Sequence, residues 1–253
     1  MSNVDAIVLD IDGGAMLAEC LASLADCRVI LFDNGSRVPT PNATQRSETN
    51  LGFTGGVNEA FKHVRAEFVA LVNNDVVVDR DWLATLLAAM RDPKLAAVQT
   101  ILRRDANTID GAGIDISDGT FRQIGHGLPL GTPLPEAWGV SATATVYRVA
   151  ALGDRVFDPR FFAYYEDVEL CARLHEAGWT TRVLPVAKAT HRGSQSASML
   201  TNARRLRTRN RYLTARMHRG VGRVRSLLWE DARLALRGKT SLRGIVEGLC
   251  SRL

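Results

Sequence analysis

The 253-residue sequence predicts an α/β fold with a mostly parallel central sheet covered by helices, followed by a basic helical region. Three observations predict it. Short apolar, β-branched runs alternate with helix-length segments over the first hundred residues, which is the pattern of successive βα units. Polar clusters close those runs at Asp10/Asp12, Asp33-Asn34 and Asn73-Asn74-Asp75. Residues 201–253 hold 14 Lys/Arg against 3 Asp/Glu and show no strand pattern.

In order along the chain, residues 4–11 read as a buried strand with a turn at Gly13-Gly14, and 15–25 as a helix with Leu17, Leu21 and Leu24 on one face. A strand follows at 28–32, then a polar stretch, a helix at 56–65 and a strand at 67–72. Helix 80–91 and strand 95–101 complete the alternation. Residues 103–135 are rich in Gly, Asp and Pro and read as short strands and loops. Strand 140–149, helix 166–177 with Gly178 as its stop, and strand 180–184 come next. From 200 onward two or three Arg-rich helices are expected. The division is a body at 1–200 and a helical region at 201–253.

Composition narrows the class. Hydrophobic residues make up 46% and charged residues 23%, which are globular values. The four cysteines form no CxxC pair and no zinc spacing, which points to reduced thiols in a reducing compartment. No apolar run approaches the roughly 18 residues of a spanning helix. Asp5, Asp10 and Asp12 stand where a signal peptide would carry lysines. A cytoplasmic location follows as the expectation. The net charge of +5 conceals an acidic body and a strongly basic end, a polarity that suits an anionic surface.

Strand ends are where open α/β sheets bind ligands, although loops there are polar in any protein. Asn50 to Asn58 opens a helix with three glycines, yet it is neither a Walker loop nor a GxGxxG fingerprint. Gly111-Ala112-Gly113 fails that fingerprint too, so a nicotinamide dehydrogenase is not expected. Asp75 offers one hard oxygen suited to Mg²⁺ or Mn²⁺ on phosphates, and it equally suits a cap for the next helix. In the segment 157–179, aromatics run directly into Glu166-Asp167. A carboxylate among aromatics is desolvated and its pKa rises toward general-base range, while the helix dipole opposes that shift. His191 follows a strand and a turn.

Taken together, these segments resemble glycosyltransferase family 2, over about residues 4–196. The matching text is Asp33-Asn34-Gly35-Ser36, Asn50 to Asn58, Asn73 to Asp75, Trp82-Leu83, Phe157-Asp158, Phe161 to Arg173, Ala177-Gly178-Trp179, and His191 with Gly193-Ser194. The wording is most similar to the branch of bacterial rhamnosyltransferases and related cell-surface polysaccharide enzymes. The resemblance implies a GT-A (Rossmann-like) nucleotide-sugar-binding domain and an inverting, metal-dependent transfer of a sugar from a nucleotide diphosphate donor to a hydroxyl acceptor.

By position it implies that Asp33 and Asn34 meet the nucleotide base near Leu9. Asn50, Gly52, Phe53, Gly56 and Asn58 would line the nucleotide pocket. Asn73, Asn74 and Asp75 occupy the DxD position, where Asp75 would hold the divalent cation with His191 as second ligand. Asp167 would be the catalytic base with Glu166 beside it, and Ser141 and Ala142 would lie near the donor sugar. The donor implied by the branch is a thymidine-linked deoxysugar such as dTDP-rhamnose. The acceptor is a lipid-linked glycan or a small natural product.

One departure matters. The family's first strand often ends in Tyr-Asn, whereas this one ends Leu9-Asp10-Ile11-Asp12, so aromatic stacking on the base is not expected. The same stretch resembles the nucleophile motif of haloacid-dehalogenase-type phosphatases, with Asp10 attacking phosphate and Asp12 as acid/base. That alternative leaves the Asn50–Asn58 loop and the 157–179 segment unexplained. A non-catalytic sugar-nucleotide-binding protein is the third reading. For the basic region, peripheral contact with the inner face of a membrane stands beside packing on the body or in a homodimer. Nucleic acid is disfavoured, because no aromatic stacking platform accompanies the arginines.

Overall fold

The structure is a computed structural model that describes residues 3–193, 202–218, 220–235 and 239–251. Its body is one nine-stranded sheet between helices. The first strands are β1 (Val4–Asp10), β2 (Arg28–Asn34), β3 (Gln45–Ser47), β4 (Phe68–Val72) and β5 (Val76–Val78). They are followed by β6 (Leu95–Arg103), β7 (Ile109–Gly111), β10 (Ala144–Arg148) and β11 (Thr180–His191). Two short strands, β8 (Ile114–Asp115) and β9 (Arg122–Gln123), pair with each other apart from it. The order across the sheet is β3-β2-β1-β4-β10-β6-β11-β5, with β7 on β6.

The helices of the body are α1 (Gly14–Ser23), α2 (Gly52–Phe61), α3 (Trp82–Ala89), α4 (Val149–Leu152) and α5 (Glu166–Glu176). Strand β1 shows why two layers of helices are needed. Val4, Ala6 and Val8 face one core with Trp82 and Leu86, while Ile7 faces another with Phe32, Val57, Phe157 and Leu170. Successive side chains alternate across a strand, so a strand apolar at every position must be covered on both faces.

The sheet is mostly parallel, as the alternation predicts, with three strands running the other way. Strands β3, β2, β1 and β4 are parallel neighbours, as are β6 and β11. Strand β10 lies antiparallel between β4 and β6, and β5 and β7 are also antiparallel to their neighbours. Between β6 and β10 the chain makes a long excursion over 104–143 that includes the short strand β7, and β10 starts at the end of the sheet where β6 finished, with Thr145 opposite Gln99. A local pattern carries no sign of that reversal. The parallel run still brings the carboxyl ends of β1, β2 and β4 to one edge, so Asp10, Asn34 and Asn73-Asn74-Asp75 share it.

Helix α2 begins at Gly52 rather than 56, so the glycine-rich motif is itself helical. Helix α5 stops before Gly178, whose φ of +83° closes the turn. Strand β11 runs to His191 rather than ending at 184.

Three further helices follow: α6 (Ala203–Met217), α7 (Val224–Ala235) and α8 (Leu242–Cys250). Tyr212 and Leu213 of α6 are fully buried. Asn210 Nδ2 donates to the carbonyls of Ala163 (2.9 Å) and Tyr164 (2.8 Å). His218 Nδ1 lies 2.9 Å from Glu176 at the end of α5. The basic region therefore packs on the body through α6. Among the described residues no helix is long and apolar enough to cross a membrane.

Candidate active site

The strand-end edge carries a carboxylate–imidazole cluster. Asp75 follows β4 and is buried; its Oδ2 lies 3.3 Å from His191 Nε2, at the end of β11. His191 Nδ1 is 2.7 Å from Asp110 Oδ2, so the ring is held between two carboxylates. Burial alone would lower its pKa, but the hydrogen bonds and charges of Asp110 and Asp75 push it up to about 9. Burial works against the charge of Asp110 as well, yet its bond to His191 and nearby cations hold it below the usual range. Asp75 Oδ1 is buried without a hydrogen-bond partner. A lone carboxylate oxygen in that state calls for a cation or donor from outside the protein.

These residues fit a divalent cation: a hard oxygen, an imidazole nitrogen beside it, and a second carboxylate that fixes the ring from behind. Among the described residues no group of three His, Cys, Asp or Glu side chains is arranged to hold a metal by itself. The remaining ligands would have to come from phosphate oxygens and water, as is usual for Mg²⁺.

Asp10 anchors the floor of this edge, a role not read from the sequence. Its Oδ1 accepts from Gly13 N (3.0 Å) and Asn74 Nδ2 (2.9 Å), and its Oδ2 accepts from Thr40 Oγ1 (2.7 Å). Asp12 is tied to Arg37 by its backbone N–H (3.0 Å) and its guanidinium (3.0 Å). With both Asp10 oxygens engaged and the residue buried, the phosphatase alternative has no free nucleophile.

The asparagines singled out as pocket-lining are used by the chain itself. Asn34 Nδ2 donates to Gly52 O (3.0 Å) and its Oδ1 accepts from Leu51 N (3.0 Å). Asn50 Oδ1 accepts from Gly52 N (2.8 Å). Asn58 Oδ1 accepts from Val156 N (3.1 Å) and Phe157 N (2.9 Å), while its Nδ2 donates to Phe157 O (2.9 Å). Phe53 stacks tilted on Phe157, with centroids 5.7 Å apart. A Cβ on Gly52 would come within 2.3 Å of Phe162 O, at a φ of +73°; only glycine allows that approach. A Cβ on Gly56 would press on Leu9 and Asn34, and Leu9 itself is half-buried. The glycine-rich motif and the 156–162 segment thus fasten each other.

Asp33 is 0% exposed. Its Oδ1 accepts from Ser36 N (2.8 Å), and its Oδ2 from Thr40 N (3.0 Å) and Arg46 Nη1 (3.1 Å). Burial favours the neutral acid, but these amides and the Arg46 charge outweigh it and hold the carboxyl below its ordinary value. In this arrangement Asp33 shapes the loop after β2, and its carboxylate has no face left for a ligand.

The second half of the edge is the start of α5. Tyr164 and Tyr165 take positive φ (72° and 70°), a strained backbone step that delivers Glu166 and Asp167 at the helix start. Asp167 is part-exposed. Val168 N donates to its Oδ1 (2.8 Å), and the Ala142 amide also bonds it. Burial nevertheless pushes Asp167 well above the ordinary carboxylate range, with the amides opposing. Glu166 is pushed up by burial and then by the charge of Asp167, and its Oε2 is buried without a partner. The fully buried Ser141 Oγ, one residue from Ala142, is also unpartnered.

The two halves are joined. Asn73 N donates to Thr143 O (2.9 Å), and Val72 pairs with Ala144. The Asn73–Asp75 turn therefore lies against the lead-in to β10, where the Ala142 amide bonds Asp167. The structure thus groups Asn73, Asn74, Asp75, His191, Asp167, Glu166 and Ser141 along adjacent strand ends. Asp110, 81 residues from its partner His191, was not legible in the sequence. Ser194 lies outside the described residues.

A mixed sheet with polar parallel-strand ends and an acidic helix start beside them is the GT-A glycosyltransferase fold. Residues 12–155, more than half the chain, match the family described as glycosyl transferase family 2, and the chain belongs to that family. It is 27% identical over 227 residues to an N-acetylglucosaminyl-diphospho-decaprenol L-rhamnosyltransferase of Mycobacterium tuberculosis, covering 72% of this chain and 74% of that protein. It is 28% identical over 192 residues to a pre-mycofactocin glycosyltransferase of the same species, covering 69% of this chain but only 39% of that longer relative. Among solved structures, the mannosyltransferase PcManGT from Pyrobaculum calidifontis, in complex with GDP-Man and Mn²⁺, aligns with a TM-score of 0.62 at 15% identity. That alignment covers 96% of this chain and 77% of that one. S. aureus TarS 1–349 in complex with UDP-GlcNAc aligns with a TM-score of 0.59 at 19% identity, covering 85% and 64%.

Proposed function

We propose that the protein transfers a sugar from a nucleotide-diphosphate donor to an acceptor hydroxyl with inversion, using Asp167 as base. The observation that carries this reading is the contrast at adjacent strand ends: a carboxylate oxygen on Asp75 with no partner, next to a carboxyl pair whose protons are held unusually tightly. Asp167 accepts the hydroxyl proton as the acceptor oxygen attacks the anomeric carbon and the bond from that carbon to the diphosphate oxygen breaks. Glu166, kept neutral by burial and by its neighbour's charge, has a proton to donate in a hydrogen bond that orients the acceptor. Single displacement needs no covalent nucleophile.

Asp75 and His191 would hold a Mg²⁺ or Mn²⁺ ion, which neutralises charge on the leaving diphosphate when bound. Asp33, Asn34, Asn50 and Asn58 act one step back, as the residues that shape the nucleotide pocket's walls. Support for a nucleotide-sugar donor comes from the neighbours' bound GDP-Man and UDP-GlcNAc. Rhamnose on thymidine diphosphate is the finer donor reading, supported by the rhamnosyltransferase relative, with a lipid-linked glycan as acceptor. Peripheral attachment of the enzyme to the membrane that carries it belongs to the same reading.

Asp167→Asn tests the proposal. Turnover should fall about 10²–10⁴-fold, the usual worth of a positioned base, while the nucleotide diphosphate still binds. A wild-type protein that binds the donor yet neither transfers nor hydrolyses its sugar would make this a binding protein instead. Screening nucleotide sugars for protection against thermal unfolding identifies the base and the sugar.

A further inference from the structure

Beside the acid pair lies an opening with a different chemistry. It is a cleft of about 360 Å³ lined by Tyr165, Arg204, Arg207, Thr208, Arg211, Leu234 and Lys239. Positions 204, 207, 208 and 211 fall on one face of α6, at the three- and four-residue spacing that aligns side chains along a helix. Most other cations of α6 are used for packing. Arg205 is paired with Glu247, Arg209 donates to Arg160 O, and Arg216 donates to the carbonyls of Gly248 and Ser251. Arg211 is paired with Glu230 and Asp231.

Among the described residues, Arg204, Arg207 and Lys239 have no acidic partner. The Arg207 guanidinium instead lies over the Tyr164 ring, 4.3 Å from its centroid. Arg211 adds a second sign that something is missing: it is more than nine-tenths buried, and its Nε has no hydrogen-bond partner. Three uncompensated cations and a buried unsatisfied donor around one small cleft make an anion site carrying more than a single negative charge.

The position of the cleft says which anion. Tyr165 lines it and directly precedes Glu166 and Asp167 in the chain, so an anion held there lies within reach of the acid pair. Asp75 and His191 belong to other strand ends and do not line it. Just beyond, α7 and α8 expose Trp229 (72%), Leu242 (75%), Val246 and Leu228. Arg233 lies 6.0 Å from the Trp229 ring. Exposed apolar side chains on two helices, one of them beside a cation, suit an interface between water and acyl or isoprenoid chains.

We infer that the Arg204–Arg207–Lys239 cleft binds the diphosphate of a lipid-linked acceptor, with its glycan directed to Asp167 and its chain toward the exposed apolar side chains of α7 and α8. The inference rests on the transfer reading above and adds the residues that would hold the acceptor's diphosphate.

Inorganic pyrophosphate is the first probe, titrated calorimetrically into the protein saturated with the nucleotide diphosphate. The donor pocket is then occupied, and pyrophosphate should still bind. The triple variant Arg204→Gln/Arg207→Gln/Lys239→Gln should weaken that binding at least tenfold while leaving nucleotide affinity and melting temperature unchanged, because all three side chains are exposed. Vesicles separate the sources of the anion. Phosphatidylcholine doped with a polyisoprenyl diphosphate should retain the wild-type protein better than vesicles of equal charge doped with phosphatidylglycerol, and the triple variant should lose that preference.

Two results would overturn the inference: pyrophosphate binding that saturating nucleotide abolishes, or equal retention on the two vesicle types. The first would mean a single diphosphate site, the donor's. The second would mean general attraction to an anionic membrane. A protein that fails to bind the nucleotide at all would instead remove the transfer reading itself.

Discussion

Asp33 and Asp167 both stand where a regular element meets a loop, and they have been solved in opposite ways. Asp33 is the more deeply buried, yet two amides and Arg46 satisfy it so fully that its proton is held less tightly than usual. Asp167 is part-exposed, yet its surroundings return less than they take, and its proton is held more tightly. Burial depth alone would rank these residues the wrong way round for chemistry. The ledger of hydrogen bonds separates the carboxylate that builds a wall from the one left with something to gain from a substrate.

The comparison breaks most visibly in turnover. Asp167→Asn should cost about 10²–10⁴-fold in kcat; an Asp33→Asn enzyme that retains its fold should lose far less at saturating donor. In stability the order reverses. Asp33→Ala leaves Arg46 and two amides without their acceptor and should lower stability by about 1–3 kcal/mol, read in a denaturant titration. Loss of a similar size from Asp167→Ala would mean that both carboxylates are structural.

The pH dependence has a definite sign for each. The pKa of Asp33 is lowered by folding, so its contribution is present above the unfolded value, near 4, and is lost as pH falls through the folded value. Asp167 is raised, so its charge opposes folding at neutral pH. Asp167→Asn should therefore hold or slightly raise the melting temperature at pH 8, and the gain should vanish on acidification. For catalysis the base must be ionised. The acid limb of kcat/KM should lie well above pH 4, with activity falling about tenfold per unit below it; a limb near pH 4 would show an unperturbed carboxylate.

The smallest effect tests the backbone that presents the pair. Asn210→Ala leaves two carbonyls without a donor, at a cost of about 1–2 kcal/mol. If the strained step at Tyr164-Tyr165 relaxes, kcat should drop roughly tenfold through misplacement of Asp167, with donor affinity retained.

Much of this arrangement was legible in advance where it depends on local pattern. Apolar runs located β1, β2, β4 and β6, and Glu166 with Gly178 bracketed α5 almost to the residue. The polar strand ends were visible as Asp10, Asn34 and Asn73-Asn74-Asp75. What escaped depends on distant partners. The reversed β10 follows from the path of the 104–143 excursion. The pairing of His191 with Asp110 spans 81 residues. Asn34, Asn50 and Asn58 carry the letters of a ligand pocket, but their amides are ideal two-way connectors for loop backbone, and the fold decides which partner takes them.

The grip of Asn210 on Ala163 and Tyr164 has a wider bearing. Residues 201–253 look expendable by composition, a charged region beside a finished sheet. Yet one of their side chains works as the keystone of an arch whose other stones were laid much earlier in synthesis. Until α6 docks, the carbonyls of Ala163 and Tyr164 lack the donor that helps hold the approach to Glu166 and Asp167 in its unfavourable shape, so the acid pair is fully seated only after residue 210 has folded back onto the body.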